Sequence, residues 1–144
     1  MLEALTGAQL RYFAPDTEGR IQAEWEDGAA FRGGTWFEML DCGSSESLAH
    51  VTRGHSAIEG LSVLARARVG KGCVILLGTV PDAAAVKKIA RIACAESGVS
   101  IPEVEGEIIV SPRSGEAGEG IMLVETAGKP GKIVLHAPMC DLLR

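Results

Sequence analysis

Asparagine is absent from this chain, and aromatic residues are confined to its N-terminal quarter. Without asparagine there is no acceptor for N-linked glycosylation. The six aromatic residues are Tyr12, Phe13, Trp25, Phe31, Trp36 and Phe37. Because stacking on a sugar ring or a nucleobase uses aromatic faces, any binding platform of that kind must lie in this quarter of the chain.

Long apolar runs and clusters of one charge are also missing. No apolar run approaches the roughly 18 residues that indicate a membrane-spanning helix. The net charge at pH 7 is −5, from 14 basic and 19 acidic residues, with no dense group of lysine and arginine. Binding of nucleic acid through a basic face is therefore disfavoured. The N-terminal residues lack the basic and apolar segments of a secretory signal, which favours a cytoplasmic protein without a membrane partner.

Cysteine and histidine are too scattered to form a metal or redox motif. The four cysteines lie at positions 42, 73, 94 and 140, and the three histidines at positions 50, 55 and 136. These spacings match no zinc or redox motif, so neither a metal nor another cofactor is expected. Cys73 and Cys94 are expected to be small buried residues, and reduced thiols are favoured over disulfides because no export signal is visible.

The middle of the chain carries the clearest structural signals. Residues 61–69 alternate between apolar and mostly polar side chains, which predicts a strand with one buried face. A tight Gly70-Lys71-Gly72 turn follows, and the continuously apolar residues 73–78 predict a central strand covered on both faces. Asp82 is the predicted N-cap of the one strong helix, and Gly98 is its predicted stop.

The buried face of that helix is predicted from side chains at helical spacing, namely Val86, Ile89, Ala90 and Ala93. Shorter strands are predicted at 20–25, 35–40 and 47–52, after a turn at 15–19. Residues 100–102 form a short linker. Beyond it, strands at 105–110, 120–125 and 132–136, joined by glycine-rich turns, predict a small antiparallel β unit.

No group of residues predicts a catalytic site. Two acidic clusters occur, Glu24, Glu26 and Asp27 around Trp25, and Glu103, Glu105 and Glu107 on one face of a strand, but neither lies among signs of a pocket. His50 and His55 have no motif context. Arg66 and Arg68 share the polar face of one strand, where they could clasp a carboxylate, face solvent or pair across a subunit contact.

Four runs occur in a characteristic order: FRGGTWFEML at 31–40, ESLAHV at 46–51, GLSV at 60–63 and RVGKGCVILLGT at 68–79. Their order resembles the trimerisation domain in the C-terminal region of family 42 β-galactosidases. The runs MLVET at 122–126 and DLL at 141–143 are similar to the family's small C-terminal β-sandwich.

The resemblance implies an α+β chain of two parts. Residues 1–100 would be a truncated α/β, glutamine-amidotransferase-like half-sheet with one main helix, and residues 101–144 a small antiparallel β-sandwich unit. Three departures from the family matter. The family's active-site acids reside in a (β/α)₈ barrel of about 250 residues, which 144 residues cannot contain. The front half of the α/β sheet is missing as well, and Glu125-Thr126 replaces an Asn-His-Thr often found in the sandwich.

The resemblance therefore carries over no catalytic residue, and this chain alone is not expected to be an enzyme. The leading hypothesis is association, either as a homo-oligomer (dimer or trimer) or with a glycoside hydrolase partner. The candidate interface residues are Tyr12, Trp25, Phe31 and Trp36, because Trp and Tyr supply much of the binding energy at such surfaces. The alternatives are a carbohydrate-binding module that uses Tyr12, Trp25 and Phe31, and a part of a larger family 42 enzyme.

Overall fold

The computed structural model describes residues 2–116, 118–135 and 138–142. The chain divides into two compact units, unit 1 (Met1–Val99) and unit 2 (Ser100–Arg144). Unit 1 contains two helices and eight strands: α1 (Leu2–Thr6), β1 (Gln9–Pro15), β2 (Gln22–Trp25), β3 (Ala30–Phe31), β4 (Gly33–Asp41), β5 (Glu46–Arg53), β6 (Ser62–Val69), β7 (Gly72–Leu77), β8 (Thr79–Pro81) and α2 (Ala83–Glu96). No helix in the described part of the chain is long and apolar enough to cross a membrane.

The eight strands of unit 1 form one antiparallel sheet. Its order is β1-β4-β6-β5-β2-β3, with β7 also paired to β6 and β8 also paired to β4. Every strand pair among the described residues is antiparallel. An α/β half-sheet would instead have parallel strands joined through crossover helices. The structure therefore shows a mostly antiparallel β architecture with two helices, and the predicted α/β half-sheet is not confirmed.

Strand β6 is the most deeply buried strand of the sheet. Its residues Ser62, Val63, Leu64 and Ala65 are each no more than 2% exposed, so both of its faces are covered there. The alternation of residues 61–69 had predicted only one buried face. The β6–β7 hairpin is confirmed, and Gly70 has the positive φ, 57°, that the turn requires. The apolar β7 is not the central strand, because it pairs only with β6 and its side chains are at most half-buried.

Helix α2 begins where the sequence predicts it. The backbone N–H of Ala85 donates to Oδ1 of Asp82 at 2.8 Å, and Gly98 has a φ of 67° just beyond the last turn. The buried face differs from the predicted one. Ala85 is buried and Ile89 and Ile92 pack on the core, whereas Val86 is 50% exposed and Ala90 is exposed.

Three ion pairs, which residue spacing alone does not reveal, accompany this orientation of α2 on the core. Near its start, Nζ of Lys88 lies 2.6 Å from Oδ2 of Asp27. In its last turn, Glu96 pairs with both Arg66 and Arg68 of β6. Lys88 and Glu96 thus lie on the side of the helix that meets the sheet, and the Val86 side faces outward.

Strand β1 is the main element that the sequence did not predict. It pairs along β4 from Gln9 to Pro15, with a register shift between Leu10 and Tyr12. The extra residue at this bulge, Arg11, breaks the simple alternation by which a strand is recognised.

Unit 2 consists of two small antiparallel sheets. Strand β10 (Ile108–Gly115) pairs with β11 (Gly118–Glu125), and β9 (Val104–Glu105) pairs with β12 (Lys132–Ile133). The predicted antiparallel pattern is therefore present, although β12 is shorter than the predicted strand at 132–136. His136, at the end of that prediction, and Leu143 of the closing run lie outside the described residues.

Replacement of Asp82 tests the cap of α2. Asp82→Ala removes the acceptor for the Ala85 amide and should lower the free energy of unfolding by about 1 kcal/mol. Asp82→Asn keeps a capping oxygen and serves as the control. Urea unfolding followed by circular dichroism measures both, and equal stability of the two variants would contradict the capping role.

Candidate interaction surface

Strand β4 separates the core of unit 1 from an exposed apolar surface. Phe37 and Met39 point inward and are 3% and 0% exposed. Trp36 and Glu38 alternate with them and are exposed on the opposite side of the strand. Of the two adjacent aromatic residues, Phe37 therefore fills the core and Trp36 faces outward.

Trp36 stacks on Phe13 of the neighbouring strand β1. The ring centroids lie 5.7 Å apart with an angle of 21° between the ring planes. Phe13 lies opposite Glu38 in the β1–β4 register, and Pro15 lies opposite Trp36, so these side chains share one face of the sheet. Both rings remain open to solvent, Phe13 at 61% and Trp36 at 43%.

Two aliphatic side chains extend this surface. Leu77 and Val80 are 39% and 71% exposed, and with Trp36 and Glu38 they line a shallow cavity of about 210 Å³. We refer to Phe13, Trp36, Glu38, Leu77 and Val80 as the aromatic patch. The side chain of Glu38 forms no hydrogen bond or ion pair with any residue that the structure describes. The patch is thus apolar, with one carboxylate that has no partner in the part of the chain that the structure describes.

The backbone beneath the patch is held at Gly78, where the chain passes from β7, which pairs with β6, to β8, which pairs with β4. The amide of Gly78 donates to the carbonyl of Val63 at 2.9 Å, and its carbonyl accepts from the amide of Glu38 at 2.5 Å. A side-chain carbon at this position would collide with the carbonyl oxygen of Glu38. The hydroxyl of Thr79 then donates to the carbonyl of Trp36 at 2.7 Å. These contacts fix the strand that presents Trp36 and Glu38.

Two of the four candidate interface residues belong to the core, and the prediction is corrected there. Trp25 and Phe31 are 5% and 4% exposed and pack edge to face, with centroids 5.2 Å apart. Nζ of Lys88 lies 4.1 Å from the centroid of the Trp25 ring. The alternating burial of β2, in which Ala23 and Trp25 are the inward residues, places this indole inside. Trp25 and Phe31 therefore offer no surface to a partner.

The other two candidates, Tyr12 and Trp36, are exposed at 45% and 43%. Tyr12 lies opposite Met39 in the register, so it is not on the face of the aromatic patch. Phe13, Leu77 and Val80 were not singled out from the sequence. The alternation of Trp36 with Phe37 could have indicated the outward face of β4. The positions of Phe13, Leu77 and Val80 beside Trp36 depend on the pairing of β4 with β1 and β8, which the sequence does not show.

The ion pair between Lys88 and Asp27 acts next to the buried Trp25. The hydrogen bond from Lys88 holds the pKa of the Asp27 carboxyl below its ordinary value, and the backbone amide of Ala29 adds to this effect. A lowered pKa in the folded state means that this carboxylate stabilises the fold above its ordinary pKa and loses that contribution as the pH falls below it. The side chain of Asp27 is 62% exposed, so solvent screens the pair and its contribution to stability is small.

Arg66 and Arg68 clasp a carboxylate of their own chain. Arg66 contacts Glu96 at 2.5 Å and Glu46 at 2.5 Å, and Arg68 contacts the other oxygen of Glu96 at 2.6 Å. The hydrogen bond with Glu46 is the main cause that raises the pKa of Arg66. Of the three readings left open by the sequence, the structure shows the clasp. These side chains tie the last turn of α2 to the sheet.

The larger cavity, about 490 Å³, lies beside this clasp and is lined by α1 residues together with Ser44, Glu46 and residues 66–68. Its central charges, on Glu46 and Arg66, already neutralise one another. No group of three or more metal-ligating side chains is brought together in the described ranges. The cysteines described are free thiols; Cys73 and Cys94 are half-buried rather than fully buried, and Cys140 is exposed.

The two tryptophans provide a matched test of this division between core and surface. Trp25→Ala should lower the free energy of unfolding by about 3–5 kcal/mol, because it leaves a cavity in the core. Trp36→Ala should change it by no more than about 0.5 kcal/mol in dilute solution. Urea unfolding of both variants decides the matter, and equal losses of stability would contradict the assignment.

No protein-family model matches the sequence, but individual proteins do. The β-galactosidase YesZ of Bacillus subtilis (strain 168) is 30% identical over 115 residues, which are 76% of this chain and 17% of that enzyme. Among solved structures, the β-galactosidase of Bacillus circulans sp. alkalophilus superposes with a TM-score of 0.72 at 17% identity, over 85% of this chain and 19% of that one. A family 42 β-galactosidase of G. stearothermophilus gives a TM-score of 0.67 at 9% identity, over 80% of this chain and 17% of that one.

The two solved structures share only 17% and 9% sequence identity with this chain, so they establish likeness of fold alone. The chain spans less than a fifth of the length of each of these three enzymes. The share of the chain matched by the Bacillus circulans enzyme exceeds the share that unit 1 occupies, so the likeness extends into unit 2. The resemblance predicted from the sequence is thereby confirmed: this chain is similar, in sequence and in fold, to a small part of the family 42 β-galactosidases.

Proposed function

We propose that this chain is a non-catalytic, β-galactosidase-like protein that acts by association, with copies of itself or with a glycoside hydrolase partner. The observation that carries the proposal is the aromatic patch. It presents two stacked aromatic rings and two aliphatic side chains on one face of a rigid sheet. Such contiguous exposed apolar surface is typical of sites where proteins bind one another.

The composition of the patch favours a protein partner over a sugar. The cavity beside Trp36 is lined mainly by apolar groups, and the Thr79 hydroxyl is already engaged by backbone carbonyls. A sugar site needs several free polar groups next to an aromatic ring. Of the residues that the carbohydrate-binding hypothesis uses, Trp25 and Phe31 are buried and only Tyr12 is accessible. Carbohydrate binding therefore stays the weaker alternative.

The absence of catalysis is proposed on length and on the surroundings of the carboxylates. The similar enzymes are more than five times as long as the segment they share with this chain. A (β/α)₈ barrel needs about 250 residues, which exceeds the 144 present. In the larger cavity, the carboxylate of Glu46 is paired with Arg66, so it is poorly suited to act as a general acid.

The origin of the two units is part of the same proposal. The order of motifs supports descent of unit 1 from the family's trimerisation domain and of unit 2 from its C-terminal β-sandwich. The antiparallel pairing in unit 1 gives no support to an α/β sheet, so only the ancestry is proposed. The reading frame upstream of the gene distinguishes a stand-alone protein from a part of a larger family 42 enzyme, because an in-frame barrel sequence there would indicate the latter.

Self-association is the first test. Light scattering at micromolar protein should report a mass of at least twice 15.1 kDa. Trp36→Ser should move the mass toward that of the monomer, because it removes an anchor of the patch. Val86→Ser is the matched control, since Val86 is similarly exposed but lies on α2. A wild-type monomer at every salt concentration would contradict self-association and leave a glycosidase partner as the remaining form of the proposal.

Catalytic silence is the second test. The purified chain should not hydrolyse nitrophenyl galactosides or related glycosides above the rate in buffer. Hydrolysis that disappears when one carboxylate is changed, for example in Glu38→Gln, would overturn the non-catalytic proposal.

A further inference from the structure

The hairpin of unit 2 carries apolar side chains on both of its faces. In the β10–β11 register, Ile109 lies opposite Val124, and Ser111 lies opposite Met122. Residues two apart on a strand share a face, so Ile109, Met122 and Val124 lie together. They are 58%, 46% and 41% exposed. We call this surface the open face of the hairpin.

The opposite face of the hairpin is partly covered within unit 2. Ile108 and Val110 on that face are half-buried. The side chain of Ile108 packs beside Gly131, so closely that a side-chain carbon at position 131 would lie 2.6 Å from its Cδ1. The short β9–β12 sheet thus lies on the Ile108 side. Its cover does not reach the open face.

A hairpin in this condition needs a further layer. Two antiparallel strands alone are at best marginally stable in water, and further strands or packing against another element are required. No described residue of unit 2 is fully buried. The open face is therefore an exposed apolar surface that no element of unit 2 covers among the described residues. The aromatic patch of unit 1 is a second exposed apolar surface.

The two surfaces are complementary in charge. Arg113 follows Ile109 and Ser111 on the same face of β10, and among the described residues its guanidinium donates only to the carbonyl of the adjacent Pro112, at 3.3 Å. The carboxylate of Glu38 in the aromatic patch has no partner within residues 2–116, 118–135 and 138–142. Each surface thus combines exposed apolar side chains with one charged group, and the two charges are opposite.

The charges also decide which surfaces can meet. Contact of one aromatic patch with another patch would bring two Glu38 carboxylates together, and contact of two open faces would bring two Arg113 side chains together. Like charges in an interface oppose association. Contact between the unlike surfaces pairs both charges and buries both sets of apolar side chains, and a two-fold arrangement forms this contact twice.

We propose that the open face of the hairpin in one copy of this chain binds the aromatic patch of a second copy, with Arg113 paired to Glu38. This inference rests on the proposed function and names the partner and the two surfaces. The contact is a packing of one β surface on another, in which side chains of the two faces interdigitate.

A charge reversal at each surface, and their combination, tests the pairing. Glu38→Arg and Arg113→Glu should each raise the dissociation constant of the oligomer by about fivefold or more, because attraction becomes repulsion. The double variant restores opposite charges and should return the constant to within about twofold of wild type. Lys129→Glu, an exposed reversal away from the open face, is the control for net charge. Light scattering across a dilution series gives the constants, and circular dichroism verifies that each variant is folded.

The outcomes separate this inference from the function on which it rests. If Trp36→Ser dissociates the oligomer but Arg113→Glu leaves the constant unchanged, the patch binds some other surface, and this inference is overturned while association stands. Failure of the double variant to recover also overturns it. If the wild-type chain is monomeric throughout the series, self-association and this inference both fail. Met122→Gln, which keeps all charges, should weaken the oligomer as well.

Discussion

The alternation of side chains along β4 is the constraint on which the rest of unit 1 depends. Phe37 and Met39 are 3% and 0% exposed, so a shift of one residue in the register of this strand would expel both from the core. The same constraint forces Trp36 and Glu38 outward. Because Phe13 stacks on Trp36 from β1, the apolar surface is a direct consequence of how the core is filled.

Contacts between distant parts of the chain keep this arrangement in place. Gly78 links β4 to β6 through its amide and its carbonyl, and it is suited to the close approach because it has no side chain. Glu96 connects the end of α2 to Arg66 and Arg68, thirty and twenty-eight positions earlier in the sequence. With α2 held on the core, the sheet face that carries the stacked rings remains exposed among the described residues of unit 1.

The sequence predicted those elements whose signals are local. The Asp82 cap, the Gly70 turn and the strand that carries Trp36 depend on neighbouring residues, and the structure confirms them. The burial of Trp25 and the pairing of Arg66 with Glu96 depend on which strands and helices meet, and composition or periodicity does not show this. The bulge at Arg11 hid β1, and with it the role of Phe13. Of the five residues of the aromatic patch, the sequence therefore indicated only Trp36 as an interface residue.

The central claim is that the aromatic patch becomes covered when the protein associates. Acrylamide quenching of tryptophan fluorescence tests it directly, because Trp36 is 43% exposed and Trp25 only 5%. A Trp36→Phe variant supplies the signal of the buried Trp25 alone. The account predicts that the quenching of Trp36 falls as protein concentration rises through the range in which the measured mass increases. Quenching that stays constant while the mass increases would show that the chains associate through another surface.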